Sequence, residues 1–109
     1  MTILTRAEEL ILVAVWRLKE EAYCVPIRSH LVDVTGKKWS FGSIYDGLDR
    51  LEKKGYLDSS YSEPCAERGG RSKRIYRLTR PGHEAMLRMM EMNEKLWAGI
   101  AREAVEKKI

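Results

Sequence analysis

At 109 residues the chain has room for one domain with one modest core, a size that often gains from self-association. Charged residues make up 33% and hydrophobic residues 44%, the balance of a folded chain rather than a disordered one. The net charge of +4 is too mild to imply nucleic acid by itself, so the placement of the charge matters more than its sum. No apolar run approaches the length of a membrane span and Met1–Arg6 carries no signal-peptide pattern, so no membrane partner and a cytoplasmic location are expected. Cys24 and Cys65 lack CxxC spacing and read as reduced thiols. Adding His30 and His83 gives no metal-site spacing, and neither a metal nor another cofactor is expected.

From Thr5 to about Lys19, Leu10, Ile11, Ala14, Val15 and Leu18 form a broad apolar helical stripe, with Glu8, Glu9, Arg17 and Lys19 elsewhere. Thr5 with Glu8 three residues on matches a capping box. Pro26 then fits the first turn of a short helix, with Ile27, Leu31 and Val34 on one face and Gly36 as its stop. Lys37–Ser40 is a turn. The stretch Trp39–Gly55 continues as a helix capped by Ser40, with Phe41, Ile44, Leu48 and Leu51 on one side and Gly42, Ser43, Asp46, Asp49, Arg50 and Lys53 on the other. Gly55 can take the left-handed conformation common just after a helix. A short helix, a turn and a second helix make a helix-turn-helix, and the small polar residues at the start of the second helix suit insertion into a DNA major groove.

Beyond Gly55 the period changes to two. Leu57, Ser59 and Tyr61 alternate with Asp58, Ser60 and Ser62, and Arg74–Leu78 is a second strand candidate. Between them a polar loop carries Gly69 and Gly70, flanked by Arg68, Arg71 and Lys73. Basic residues around a Gly-Gly tip suit a wing that rides on phosphates better than an edge hairpin guarded against aggregation. Thr79 can cap one long last helix from about Arg80 to Glu106. On it Met86, Met89, Met90, Asn93, Leu96, Trp97, Ile100, Ala104 and Val105 recur at three- and four-residue steps, more stripe than a small core can cover. That surplus predicts pairing with a second copy of the chain, and the methionines with Trp97 are a candidate lining for a small-molecule effector site.

The ordered set AYCVPIRSHL at 22–31, Gly42-Ser43-Ile44-Tyr45, Leu48–Gly55, Glu67–Arg71 and Tyr76–Thr79 with Gly82 resembles the PadR-like transcriptional regulators over roughly residues 5 to 85. The resemblance implies a winged helix-turn-helix with a C-terminal dimerisation helix, and a homodimeric repressor on a palindromic operator. The short C-terminal segment is similar to the smaller subgroup of that family. The resemblance places Ser43 and Tyr45 in the recognition-helix motif, the tyrosine reaching DNA backbone, and Arg68–Arg71 in the wing. Two positions depart from the pattern. Cys24 stands where glycine is common, and Gly47 follows Asp46 where proline and alanine are frequent. A mid-helix glycine costs roughly 1 kcal/mol against alanine, and it either loosens the helix or admits the groove wall closely.

The expected fold is therefore mainly α with a small β-hairpin: a winged helix-turn-helix over 1–79 and a dimerisation helix over 80–109. The expected function is that of a sequence-specific DNA-binding repressor, a homodimer on double-stranded DNA, released by a small-molecule effector. Ser40, Ser43 and Asp46 are the candidates for base contacts, and Lys37, Lys38, Tyr45, Arg68, Arg71 and Lys73 for phosphates, with Gly69 and Gly70 at the wing tip. The dimer candidates are Met86, Met89, Met90, Asn93, Leu96, Trp97, Ile100 and Ala104. No nucleophile–base pair or phosphate-binding glycine loop points to an enzyme. The competing expectation is a winged helix used only for protein–protein contact.

Overall fold

A computed structural model describes residues 3–62 and 72–107. Its elements in chain order are α1 (Arg6–Leu18), a 3₁₀ turn (Lys19–Glu21), α2 (Cys24–Thr35), α3 (Phe41–Lys53), β1 (Leu57–Tyr61), β2 (Arg74–Leu78), α4 (Arg80–Trp97) and α5 (Arg102–Glu106). The two strands pair antiparallel in the register Leu57↔Leu78, Ser59↔Tyr76 and Tyr61↔Arg74. Three helices followed by a hairpin form a winged helix, and α4 extends from it. Arg68, Gly69, Gly70, Arg71 and Cys65 lie outside the described residues.

The local signals for the helices act as the sequence predicts. Thr5 Oγ1 accepts from the Glu8 N–H at 3.1 Å, and Glu8 Oε1 accepts from the Thr5 N–H at 2.8 Å, a complete capping box for α1. The Ser40 hydroxyl accepts from the Ser43 N–H at 3.1 Å and starts α3. Gly36 ends α2, and Gly55, with φ of 82°, turns the chain out of α3 into the wing.

One core joins all these elements. Ile11, Leu12, Ala14 and Val15 of α1 meet Ile27 and Leu31 of α2, and Ile44, Leu48 and Leu51 of α3. Leu57 and Tyr76 bring in the hairpin, and Ala85 and Met89 bring in the first half of α4. Each large side chain buried in this way contributes about 1.5–3 kcal/mol of transfer free energy. Met89, expected at a contact between copies, is thus covered within the protomer. Val34, expected on the buried face of α2, is 59% exposed.

Three sequence expectations are corrected here. The apolar period places Phe41 on the buried side of its helix, yet it is exposed. It occupies the first helical position, ahead of the turn that reaches the core, and its ring is covered in part by the Arg28 guanidinium 4.9 Å from the centroid. The last helix does not run unbroken to Glu106. α4 stops at Trp97, because Gly99 adopts a φ of 78° and the chain restarts as the short α5. Gly47, finally, does not face outward toward a groove. It is buried, and a Cβ there would overlap the Cδ1 of the fully buried Ile11, so the glycine brings α3 close to α1.

A second close approach fixes the start of α4. A Cβ on Gly82 would overlap the Tyr56 carbonyl oxygen, and the Thr79 N–H donates to that same oxygen at 3.1 Å. The Thr79 hydroxyl donates to the Gly55 carbonyl as well as capping α4 through the Gly82 N–H. The end of α3 and the start of α4 are therefore pinned at one point.

Gly47→Ala should lower stability by about 1 kcal/mol. Overpacking costs about 1–3 kcal/mol, and the gain in helix propensity offsets about 1 of it. Ile11→Val removes the clashing methyl, so the double variant should be more stable than additivity of the two single changes allows. Urea unfolding of the four proteins measures the coupling, and strict additivity would contradict this packing.

Candidate nucleic-acid interface

The helix-turn-helix is held by side chains that its sequence pattern did not single out. The Thr35 hydroxyl donates to the Leu31 carbonyl at 2.7 Å and accepts from the Trp39 indole N–H at 3.0 Å and the Lys37 N–H at 3.2 Å. The Arg28 Nε donates to the Trp39 carbonyl at 2.6 Å. These contacts tie α2 to the turn, and the Arg28 guanidinium over the Phe41 ring extends the link to the first residue of α3. Between α2 and α3, Arg28, Thr35 and Trp39 form a polar latch. Its signal was the i, i+4 pair Thr35/Trp39 flanking a glycine.

At the other end α3 is held by Glu8. This carboxylate is 1% exposed. Its Oε2 accepts from Lys54 Nζ at 2.8 Å and from Arg50 Nε at 3.3 Å. Burial alone would push the carboxyl pKa up. The hydrogen bonds from Lys54 and from the Thr5 backbone, with the Lys54 charge, outweigh that and hold it down at about 2. Arg50 stays about half exposed, as its place on the polar side of the helix predicts, while its Nε reaches back to Glu8. Glu52 is occupied on the hairpin side, accepting from Arg74 at 2.7 Å and from the Ser59 hydroxyl at 2.7 Å. Lys53 pairs with Asp49 at 3.0 Å. Asp46 is the one charge on α3 with no ion partner among the described residues.

The exposed face of α3 is Phe41, Gly42, Ser43, Tyr45 and Asp46 at its leading turns and Asp49, Arg50 and Lys53 further along, beside exposed Lys37 and Lys38, which form no ion pair among the described residues. Ser40 and Ser43 lie at its start, but both are engaged in the cap: the Ser43 hydroxyl donates to the Ser40 carbonyl at 2.9 Å. Tyr45 contacts the buried Cys24 thiol. Burial raises the pKa of both groups, and the Tyr45 contact works against the rise at Cys24. The basic residues of the hairpin that are described have partners of their own. The Lys73 ammonium sits 4.3 Å from the Tyr23 ring centroid, and Arg77 lies beside Asp58 and Ser60. Among the described residues no group of three or more His, Cys, Asp or Glu could hold a metal, and no helix is long and apolar enough to cross a membrane.

On α4 the sequence-predicted residues divide. Met89 is buried and Met86 is half-buried against the core, whereas Met90, Leu96 and Trp97 are exposed, as are Ile100 after the helix end and Ala104 on α5. Asn93 faces inward, its side-chain amide donating to Glu9 Oε2 at 2.7 Å.

The profile of the transcriptional regulator PadR-like family matches residues 11–88. The chain belongs to this family. It is a transcriptional regulator, in a family of regulators rather than enzymes. No curated protein sequence matches it significantly. Among solved structures it is similar to RosR of H. salinarum, at 27% identity over 95% of this chain and 88% of that one, with a TM-score of 0.68. It is also similar to a PadR family transcriptional regulator from Eggerthella lenta, at 24% identity over 84% of this chain and 77% of that one, with a TM-score of 0.66. A PadR-like transcription factor from Bacteroides fragilis matches at 21% identity over 95% of this chain and 93% of that one, again with a TM-score of 0.66. The last two likenesses concern the fold. In this chain Gly47 packs α3 against Ile11 of α1 rather than facing a groove.

Glu8→Gln should lower unfolding free energy at pH 7 by about 3 kcal/mol, the linkage value of a carboxyl lowered from 4.5 to about 2. The folded-state pKa is depressed, so this stabilisation is complete above about pH 4.5 and is lost as pH falls toward 2. The two proteins should therefore converge in stability over that window. A difference that persists unchanged at pH 2.5 would show that packing, not charge, carries the effect.

Proposed function

We propose that this PadR-like regulator is a sequence-specific DNA-binding repressor, a homodimer on a roughly palindromic operator released by a small-molecule effector. The observation that carries the reading is the exposed face of α3. It presents small, aromatic and acidic side chains at its first two turns, next to unpaired Lys37 and Lys38. The opposite face is consumed by the core and by Glu8. Base contacts are assigned to this face, with Asp46 free to accept from a cytosine amino group. Ser40 and Ser43 contribute more through the cap than through free hydroxyls.

The charges of α3 nearly cancel, so phosphate affinity falls to Lys37 and Lys38, with Tyr45 beside them, and to Arg68, Arg71 and Lys73 around the Gly69-Gly70 tip. Pairing of two copies is supported by the apolar surface that one protomer leaves open: Leu87, Met90, Leu96, Trp97 and Ile100 on α4 and beyond, and Ile3 and Trp16 near α1. Two recognition helices about one DNA turn apart would follow from that pairing. Exposed Trp97 among apolar neighbours is where a flat, apolar effector would be felt, and quenching of tryptophan emission that is lost in Trp97→Phe is its signature. The repressor assignment rests on the family resemblance.

Selection of bound sequences from a random DNA pool tests the reading as a whole. Enrichment of a two-fold symmetric site is the expected result, and failure to enrich any sequence would overturn it. On the selected site, replacing Lys37 and Lys38 together by Ala should weaken binding to all sequences alike. The slope of log K against log salt should fall by about 1.8, from about 0.9 per lost phosphate contact. An unchanged slope removes the turn from the phosphate contacts.

A further inference from the structure

Phe41 is a large apolar side chain at the first position of α3, and the core does not use it. Ile44, three residues on, is fully buried, whereas Phe41 is 45% exposed. Its position is nonetheless fixed. The Arg28 guanidinium lies against it, and Arg28 is itself anchored on the Trp39 carbonyl at 2.6 Å. A free phenylalanine on a surface would lose rotamer freedom on binding, and this one has already lost part of it.

The residue beside it supports a binding role. A Cβ on Gly42 would meet only the Ser40 hydroxyl oxygen at 3.9 Å, an ordinary contact. Among the described residues nothing therefore requires glycine there, in contrast to Gly47 and Gly82. Its bare backbone leaves room beside the ring on the outer face of the helix. Tyr45, one turn along the same strip, and unpaired Asp46 complete that face.

In the major groove the base edges present one apolar group, the C5-methyl of thymine. A fixed, exposed aromatic ring at the leading end of a recognition helix, with cleared space next to it, matches that group. We infer that Phe41 is a specificity-determining residue that reads a thymine methyl in each half-site, held in position by Arg28. The inference rests on the DNA-binding reading above and adds a base to it.

The test uses the full chain and the site recovered by selection. Each thymine of a half-site is replaced in turn by deoxyuridine, which removes the methyl and keeps the base pair, and affinity is read by fluorescence anisotropy. One position per half-site should lose about fourfold in affinity, the worth of one buried methyl group. Phe41→Ser should bind the thymine and uracil sites equally, while Phe41→Leu, still apolar, should keep part of the preference. Both substitutions fall at an exposed position, and circular dichroism confirms that each variant folds.

Sites that contain no recurrent thymine, uracil sites bound as tightly as the parent, or a methyl preference that survives in Phe41→Ser would each overturn the inference while leaving DNA binding intact. Failure of the selection to enrich any DNA would overturn both.

Discussion

Helix α3 of this protein is held in place by a carboxylate that is almost wholly buried. Glu8 belongs to the first turn of α1, where its Oε1 completes the capping box, while its Oε2 takes Lys54 and Arg50 from the end of α3. One side chain thus starts one helix and locates another. A buried charge is stable only when its hydrogen bonds are filled, and here they are. Both cations are partly exposed, so their own desolvation is small, and the cost falls mainly on the glutamate. The arrangement leaves α3 little freedom to rotate: its inner face is Ile44, Gly47, Leu48 and Leu51, and its C-terminal cations are fixed.

This pairing of charge within the protomer explains what is left unpaired among the described residues. Arg50 and Lys54 turn to Glu8, Lys53 to Asp49, and Glu52 to Arg74. The outward remainder at the leading turns is Phe41, Gly42, Tyr45 and Asp46, a surface with little net attraction for phosphate. Under the proposed DNA-binding reading, such a helix discriminates more than it adheres, and phosphate affinity is left to the basic turn.

Much of this architecture is legible in the sequence because it is local. Thr5/Glu8, Ser40, Gly36, Gly55 and Thr79 each act within a turn of their own position, and the period change after Gly55 marks the hairpin. What is not legible depends on partners far along the chain. Glu8 reads as a cap, since nothing near it shows that Arg50 and Lys54 arrive 42 and 46 residues later. Phe41 fits the apolar period of α3, but periodicity does not say where the core ends. Gly47 reads as a flaw in a helix until Ile11 is seen beneath it. The break after Trp97 was visible in Gly99, and the long apolar stripe obscured it. Asn93 carries no sequence sign that Glu9 is its acceptor.

The missing side chain of Gly82 has a mechanical meaning. With Thr79, it sets the direction in which α4 leaves the body, directly against the residues that end α3. α4 has 18 residues, a lever arm of about 27 Å at 1.5 Å per residue. One degree of tilt at its root therefore moves Trp97 by about half an ångström. A hinge with slack at that point would blur the position of everything at the far end. A glycine seated on a backbone carbonyl removes the slack and sets the angular tolerance of the whole arm.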